Sequence, residues 1–161
     1  MNSPYLRDAL ALCQRIPQDA IALLARVSIA SVFWLSGQTK VQGFVLNPLS
    51  GEVQLGWPRL SDSVVDLFRE EYRLPLIDPT IAAVMAAAAE HVLPLLLLLG
   101  LATRFSALAL LGMTAVIQLL VYPGAWPTHG TWAAVLLMLV ASGAGRWSLD
   151  GWWTGRRAGR A

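Results

Sequence analysis

Long apolar runs alternate with short polar stretches along this chain, and the alternation predicts four membrane-length helices. The first run covers residues 20–44 and turns polar in its second half. The second covers 81–101 and reads IAAVMAAAAEHVLPLLLLLGL; the third, 105–122, follows it after the tight turn Ala102-Thr103-Arg104. The fourth, 129–145, is short. A bilayer crossing takes ~20 mainly apolar residues, so each run is of the right order. Pro94 falls inside the second, where it kinks a helix or leaves a carbonyl free. The tryptophans and Tyr122 mostly stand near run ends, as an aromatic belt would place them. The predicted fold class is an all-α membrane protein, a four-transmembrane-helix bundle forming a single domain over residues 1–161.

Between the first two runs lies a segment, 45–79, too long for a simple connection. Its Gly/Pro-rich start gives way to SDSVVDLFREEYRLP. Ser61 or Ser63 can cap a short helix there, with Val64, Val65, Leu67 and Phe68 on an apolar face. Asp66, Arg69, Glu70 and Arg73 would then face water. The pattern predicts an interfacial helix over the outer mouth of the bundle, or else a solvated link. In the second run, Ala82, Ala83, Ala86, Ala87 and Ala89 allow close approach of a neighbour, and Gly112 does the same in the third.

Composition agrees with a membrane protein. Hydrophobic residues make up 56% and charged residues 14%, against about a quarter charged in soluble chains. The net charge of +2 comes without a basic stripe interleaved with aromatics, so nucleic acid is not an expected partner. Cys13 is the one cysteine, which excludes an intrachain disulfide and a CxxC redox pair. The first fifteen residues carry Arg7, Asp8 and Arg15 without a long apolar core, so no signal peptide is expected. Orientation follows from the arginines. Arg7, Arg15, Arg104, Arg146, Arg156, Arg157 and Arg160 fall on one side and Arg59, Arg69 and Arg73 on the other, which puts both termini in the cytoplasm.

The residues that stand out are polar ones inside apolar runs. Glu90 lies in the middle of the second, where a carboxylate costs ~2.5 kcal/mol or more and needs a partner, a proton or a wet cavity. Arg26 on the first run lies in its cytoplasmic half, while Lys40, Gln38, Gln118 and His129 belong to the outer half. Glu90 can pair with Arg26 below it or with Lys40 above it. As a fold-specifying ion pair, Arg26–Glu90 would carry no chemistry. As part of a polar cavity open to the outer face, Glu90 would accept or relay a proton as the catalytic group. Lys40 can alternatively snorkel to the headgroups. His91, about 100° around the helix from Glu90, suits a helix–helix hydrogen bond. His129, in WPTHGTW, either anchors a helix end or binds a quinone carbonyl or a metal. Haem between His91 and His129 is disfavoured by their different depths, and a structural metal site by the shortage of ligands.

Taken in order, these motifs resemble a known family. Arg26 is followed by Ser36-Gly37-Gln38-Thr39-Lys40; Glu90 by Pro94 and Leu99-Gly100-Leu101-Ala102-Thr103-Arg104; and the chain closes on WSLDGWW, with Ser148-Leu149-Asp150 as its characteristic part. The order and spacing resemble the DoxX family of small four-helix bacterial inner-membrane proteins. The resemblance implies a redox-associated subunit of the inner membrane, with a partner protein supplying electrons or substrate and room for a homo-oligomer. The family's recurrent Arg, Lys and Glu correspond to Arg26, Lys40 and Glu90; with the other polar residues of the outer half, the expectation is a quinone- or small-substrate-binding cavity in which Arg26, Lys40, Gln38, Gln118 and His129 bind and Glu90 takes the proton. A non-catalytic scaffold or small transporter serving a metal- or peptide-processing system is the alternative, with Arg26 and Glu90 structural and the alanine face mediating assembly.

Overall fold

The computed structural model describes residue 11 and residues 13–158, with side chains through residue 155. Four long helices form the body: α1 (Gln18–Gln38), α3 (Pro79–Leu99), α4 (Thr103–Val116) and α5 (Trp126–Ser142). Between α1 and α3 come a hairpin, β1 (Val41–Asn47) and β2 (Glu52–Leu60), and a short helix, α2 (Asp62–Leu67). α2 runs on through a π-helical turn over Phe68–Tyr72, and α4 through another over Ile117–Val121. A final helix, α6 (Leu149–Ala158), follows α5. By length and composition three helices can cross a membrane: Gln18–Gln38, Pro79–Leu99 and Thr103–Val121. α5 spans 17 residues.

Local chemistry sets the ends of α3. Asp78 accepts hydrogen bonds from Thr80 N and Ile81 N, and Pro79 occupies the first turn, where its missing N–H costs nothing. At the other end Gly100 takes the left-handed conformation (φ 65°) while Leu101 N bonds Leu96 O, closing the helix. Arg26 and Ser148 crowd the position a Cβ at Gly100 would occupy, so glycine is required there for space as well as for φ.

α1 lies along α3 and α4 along α5, and contacts between α3 and α4 and between α1 and α5 complete the bundle. Its core is Ile29, Ala30 and Phe33 of α1 against Leu93, Leu97, Ala107, Leu110, Leu136 and Leu139. The opposite faces are equally apolar and lie open: Leu24, Val27, Val84, Val92, Leu108, Leu119 and Leu137 are all exposed. In water such a surface would drive aggregation; against lipid it is what a membrane helix presents.

Two features differ from the sequence expectation. The first apolar run does not continue as a helix to residue 44: α1 ends at Gln38, and Val41 onward is a strand. Val41–Asn47 pairs antiparallel with Glu52–Leu60, with a bulge between Gln42 and Phe44. Glycines make this bulge possible, since a Cβ on either Gly43 (φ 82°) or Gly56 would run into the backbone of the facing strand. The second is Gly112, which has nothing within 4 Å of its would-be Cβ and is not a helix-packing position.

The short helix expected in this segment is present as α2 and packs on α3. Val64 and Phe68 are buried on Ala82 and Ala83 of α3, while Asp66, Arg69, Glu70 and Arg73 are exposed. Ser61 holds the N-cap position, yet its hydroxyl bonds Gln42 Nε2 and Ser63 Oγ rather than the helix backbone.

Candidate functional site at a buried lysine–glutamate pair

Buried charge occurs at both ends of the α1–α3 pair, and the two sites are built differently. Near the hairpin, Ser36 lies in the last turn of α1 and Lys40 in the turn just past its end, where Lys40 N bonds Gly37 O and brings the two side chains together. Glu90 faces them from the middle of α3. Lys40 Nζ lies 2.6 Å from Glu90 Oε2, with side-chain exposures of 7% and 4%. Ser36 Oγ donates to Glu90 Oε1 at 3.1 Å and accepts from Lys40 Nζ at 3.1 Å. Lys40 Nζ also reaches Ser36 O at 3.4 Å, so its three protons all have acceptors. Lys40 therefore points into the bundle and does not snorkel.

Backbone geometry tightens this contact. Pro94 has no N–H, so the carbonyl of Glu90 lacks its usual partner four residues on. That carbonyl faces Gly37, where a Cβ would come within 3.0 Å of it and 2.9 Å of the His91 ring. His91 bridges the helices as its position predicted: Nδ1 donates to Ala87 O (2.7 Å) and Nε2 accepts from Gln38 Nε2 (2.9 Å). Both ring nitrogens are engaged, so His91 offers no ligand for a haem shared with His129.

Ser36, Lys40 and Glu90 form one wall of a cavity of about 370 Å³. The remaining walls are mostly apolar: Phe33, Ala86, Ala89, Met113, Val116 and Trp132. The small side chains at Ala86 and Ala89 leave the room, while Ala82 and Ala83 are taken up by α2. Much of the alanine face expected to mediate assembly is thus occupied within the chain. His129 also lines the cavity, with its ring 5.1 Å from Trp132. Gln118 fixes its tautomer: the amide nitrogen donates to Pro123 O (2.6 Å), so the amide oxygen accepts from His129 Nδ1 (2.8 Å). In the neutral ring, Nε2 is then a lone-pair acceptor, and it has no protein partner among the described residues.

A lid closes the hairpin side. Phe68 and Tyr72 from the π turn of α2 stack at 4.7 Å, and Tyr72 meets Tyr122 edge-on at 5.8 Å. Tyr122 Oη donates to Glu71 Oε1, latching the end of α4 to the lid. The bond to the Glu71 carboxylate, aided by burial, holds the Tyr122 phenol protonated well above the usual phenol range. Burial raises the Tyr72 phenol as well.

At the far end Arg26, 1% exposed, does something else. Nη1 donates to Leu97 O (3.3 Å) and Leu98 O (3.4 Å), and Nη2 to Trp147 O (2.6 Å). Leu97 O also accepts from Gly100 N in the capping turn, while Leu98 O is one of the carbonyls that the end of α3 leaves without a helical partner. Asp150 completes the join: its carboxylate accepts from Ala102 N and Thr103 N, both at 2.9 Å, capping α4 from a distance. Ser148 Oγ accepts from Gly151 N (3.0 Å) to start α6. The Ser148-Leu149-Asp150 stretch is a clasp around the α3–α4 turn.

Arg26 and Glu90 do not pair, and Arg26 does not line the cavity. Gln38 and Gln118 act behind the cavity, each orienting a histidine. Ser36, Tyr72, Tyr122 and Trp132 join the site without having been singled out. The spacing of Ser36 and Lys40 was the available signal for the first; the others depend on the long-range closure of α2 onto α4.

A family model described as DoxX matches residues 21–123, more than half of the chain. The matched stretch includes Arg26, Ser36, Lys40, Glu90 and Gln118, and it ends before His129 and the clasp. No curated protein and no solved structure matches the chain.

Proposed function

The chain belongs to the DoxX family, and from that premise we propose a redox-associated subunit of a bacterial inner membrane that binds a quinone or similar small substrate between its helices. In this reading α5 completes a four-span bundle and both termini are cytoplasmic. By sequence, seven arginines fall on the side assigned to the termini and three on the hairpin side, which supports that orientation; Arg7 and Arg160 of the seven lie outside the described residues. The lid then faces away from the cytoplasm as an interfacial helix.

The observation that carries the proposal is the Lys40–Glu90 pair on the wall of an apolar cavity. Two desolvated charges are often no more stable than well-packed apolar side chains of the same size, so stability alone gives weak reason for such a pair. Beside a ligand cavity, it supplies a proton donor and acceptor out of bulk water. The donor set fits a quinone or quinol. Phe33 and Trp132 offer ring surfaces, and the free Nε2 of His129 can accept from a ligand hydroxyl. A bound quinone would supply two-electron redox chemistry. Glu90 takes or gives the proton, Ser36 links it to Lys40, and Lys40 holds the charge in balance. Phe68, Tyr72 and the Tyr122–Glu71 latch exclude water. Electrons come from a partner protein. Transport through the bundle has less support, because Leu97, Leu110, Leu136 and Leu139 pack the half beyond the cavity with no exposed surface.

Quenching of Trp132 by a short-chain ubiquinone in proteoliposomes tests this. The Trp132 component, isolated by difference against Trp132→Phe, should quench saturably, and Ala86→Phe should weaken the binding at least tenfold by filling the cavity. Quenching that rises linearly with quinone and is indifferent to Ala86→Phe would mean partition into lipid only and would reject the site.

A further inference from the structure

The hairpin has two unlike faces. Directly paired residues share a face in an antiparallel sheet, and Phe44 pairs Leu55 while Leu46 pairs Val53. Trp57 falls in the irregular stretch of β2 between Leu55 and Arg59, where the ladder is broken. The other side carries the pairs Val45–Gln54 and Asn47–Glu52. Nothing among the described residues covers most of the apolar face: Val53 and Leu55 are 61% and 80% exposed, and the nearby Trp57 is 83% exposed.

Three contacts say where that face lies. Leu46 is six residues past Lys40, so a straight strand leaving the bundle would carry it roughly 20 Å away. It is instead held to α1: Leu46 N donates to Gln38 Oε1 (2.7 Å), and Trp34 Nε1 donates to Leu46 O (2.8 Å). Phe44 packs edge-on against Trp34, with ring centroids 6.5 Å apart. Trp34 is about 6 Å inside the end of α1. The bulge at Gly43 thus keeps the hairpin beside the last turns of the helix and prevents it from standing clear as a stalk. On α3 the residue beside Trp34 is His91, with ring centroids 5.1 Å apart, and its neighbour Val92 is an exposed apolar residue.

We propose that this hairpin is a membrane-interface anchor whose apolar face, Phe44, Leu46, Val53 and Leu55, lies at the boundary of headgroups and acyl chains of the same bilayer that the helices cross. Its depth has a physical limit. Both outer edges of a two-stranded sheet carry unpaired N–H and C=O groups that need water or headgroup partners, which the hydrocarbon core does not provide. The polar side, with Asn47, Glu52 and Gln54, faces water. Because β2 leads directly into α2 at Ser61, an anchored hairpin also holds the lid at the membrane surface. The inference rests on the chain spanning a bilayer, and it is independent of what the cavity binds.

Spin labels on single cysteines read the immersion directly. In a Cys13→Ser background reconstituted into phosphatidylethanolamine/phosphatidylglycerol liposomes, labels are placed at Leu55, at Gln54 and, as a reference on the open apolar face of α3, at Val92. The expected result is oxygen-dominated relaxation at Leu55, shifted toward the value at Val92, with relaxation at Gln54 dominated by a water-soluble nickel chelate. Equal, chelate-dominated relaxation at Leu55 and Gln54, with Val92 still in lipid, would overturn the anchor and leave the membrane fold standing. A label at Leu55 shielded from both reagents would also overturn it, since the face would then be covered by protein, either a second copy or another chain. Chelate-dominated relaxation at Val92 too would remove the membrane premise itself.

Discussion

Arg26 and the Lys40–Glu90 pair are both buried charge between α1 and α3, yet one is a joint and the other the wall of a chamber. Arg26 has no acidic partner within ion-pair distance among the described residues; it spends its guanidinium on the carbonyls of Leu97, Leu98 and Trp147. Those groups belong to the end of α3 and to the approach to α6, so Arg26 holds three parts of the chain together. Lys40 and Glu90 satisfy each other directly and through the Ser36 hydroxyl, and their one backbone contact is the long bond from Lys40 to Ser36 O, within its own turn. A charge that serves the backbone is irreplaceable by apolar atoms, because removing it strands acceptors in a dry place. A charge that serves only another charge can be replaced together with its partner.

The largest effect should come from Arg26→Met. It removes all three hydrogen bonds at once; Leu97 O keeps Gly100 N, so two carbonyls, Leu98 O and Trp147 O, lose their partner, and a loss of roughly 2 kcal/mol follows at ~1–3 kcal/mol each. Thermal unfolding in mild detergent, followed by tryptophan fluorescence, measures it; an unfolding midpoint within error of wild type would mean the joint is not what holds this end.

A smaller effect is expected at the lid. Tyr122→Phe removes the bond to Glu71 while leaving the aromatic contact with Tyr72, so hydrogen exchange should accelerate over residues 61–76 and not in α4 or α5. The sign of the pH effect follows from the raised phenol. A group whose pKa is higher in the folded state stabilises fully below its unfolded value, about 10, and that contribution is lost only as pH rises through the higher folded value. The latch should therefore hold unchanged from pH 6 to pH 9 and loosen only above about pH 10. Loosening near neutrality would contradict it.

Much of this was legible in the chain. The apolar runs at 81–101 and 105–122 sit within two or three residues of α3 and the extended α4, because long apolar segments leave the backbone no option except to bond itself. The run at 20–44 was misread past Gln38. Gln42-Gly43-Phe44-Val45-Leu46 is apolar enough to extend a helix by composition, but its glycine and the period-two alternation of Glu52-Val53-Gln54-Leu55 belong to a hairpin. Glu90 was identifiable by its cost. Its partner was not, since Arg26 and Lys40 are both reachable by depth alone, and the choice depends on which carbonyls are left open at the end of α3. The clasp of Asp150 on Ala102 and Thr103 links residues 48 and 47 positions apart, which no local pattern encodes.

The claim that matters most is that the Lys40–Glu90 pair is kept for the cavity and Arg26 for the fold. The double substitution Lys40→Met/Glu90→Leu tests it most directly, measured as unfolding midpoint and saturable quinone quenching of Trp132 on the same preparation. The prediction is stability within about 1 kcal/mol of wild type, as buried pairs replaced jointly by apolar groups show, with quenching no longer saturable. A protein that unfolds as readily as Arg26→Met, or one that binds quinone as wild type does, would contradict it.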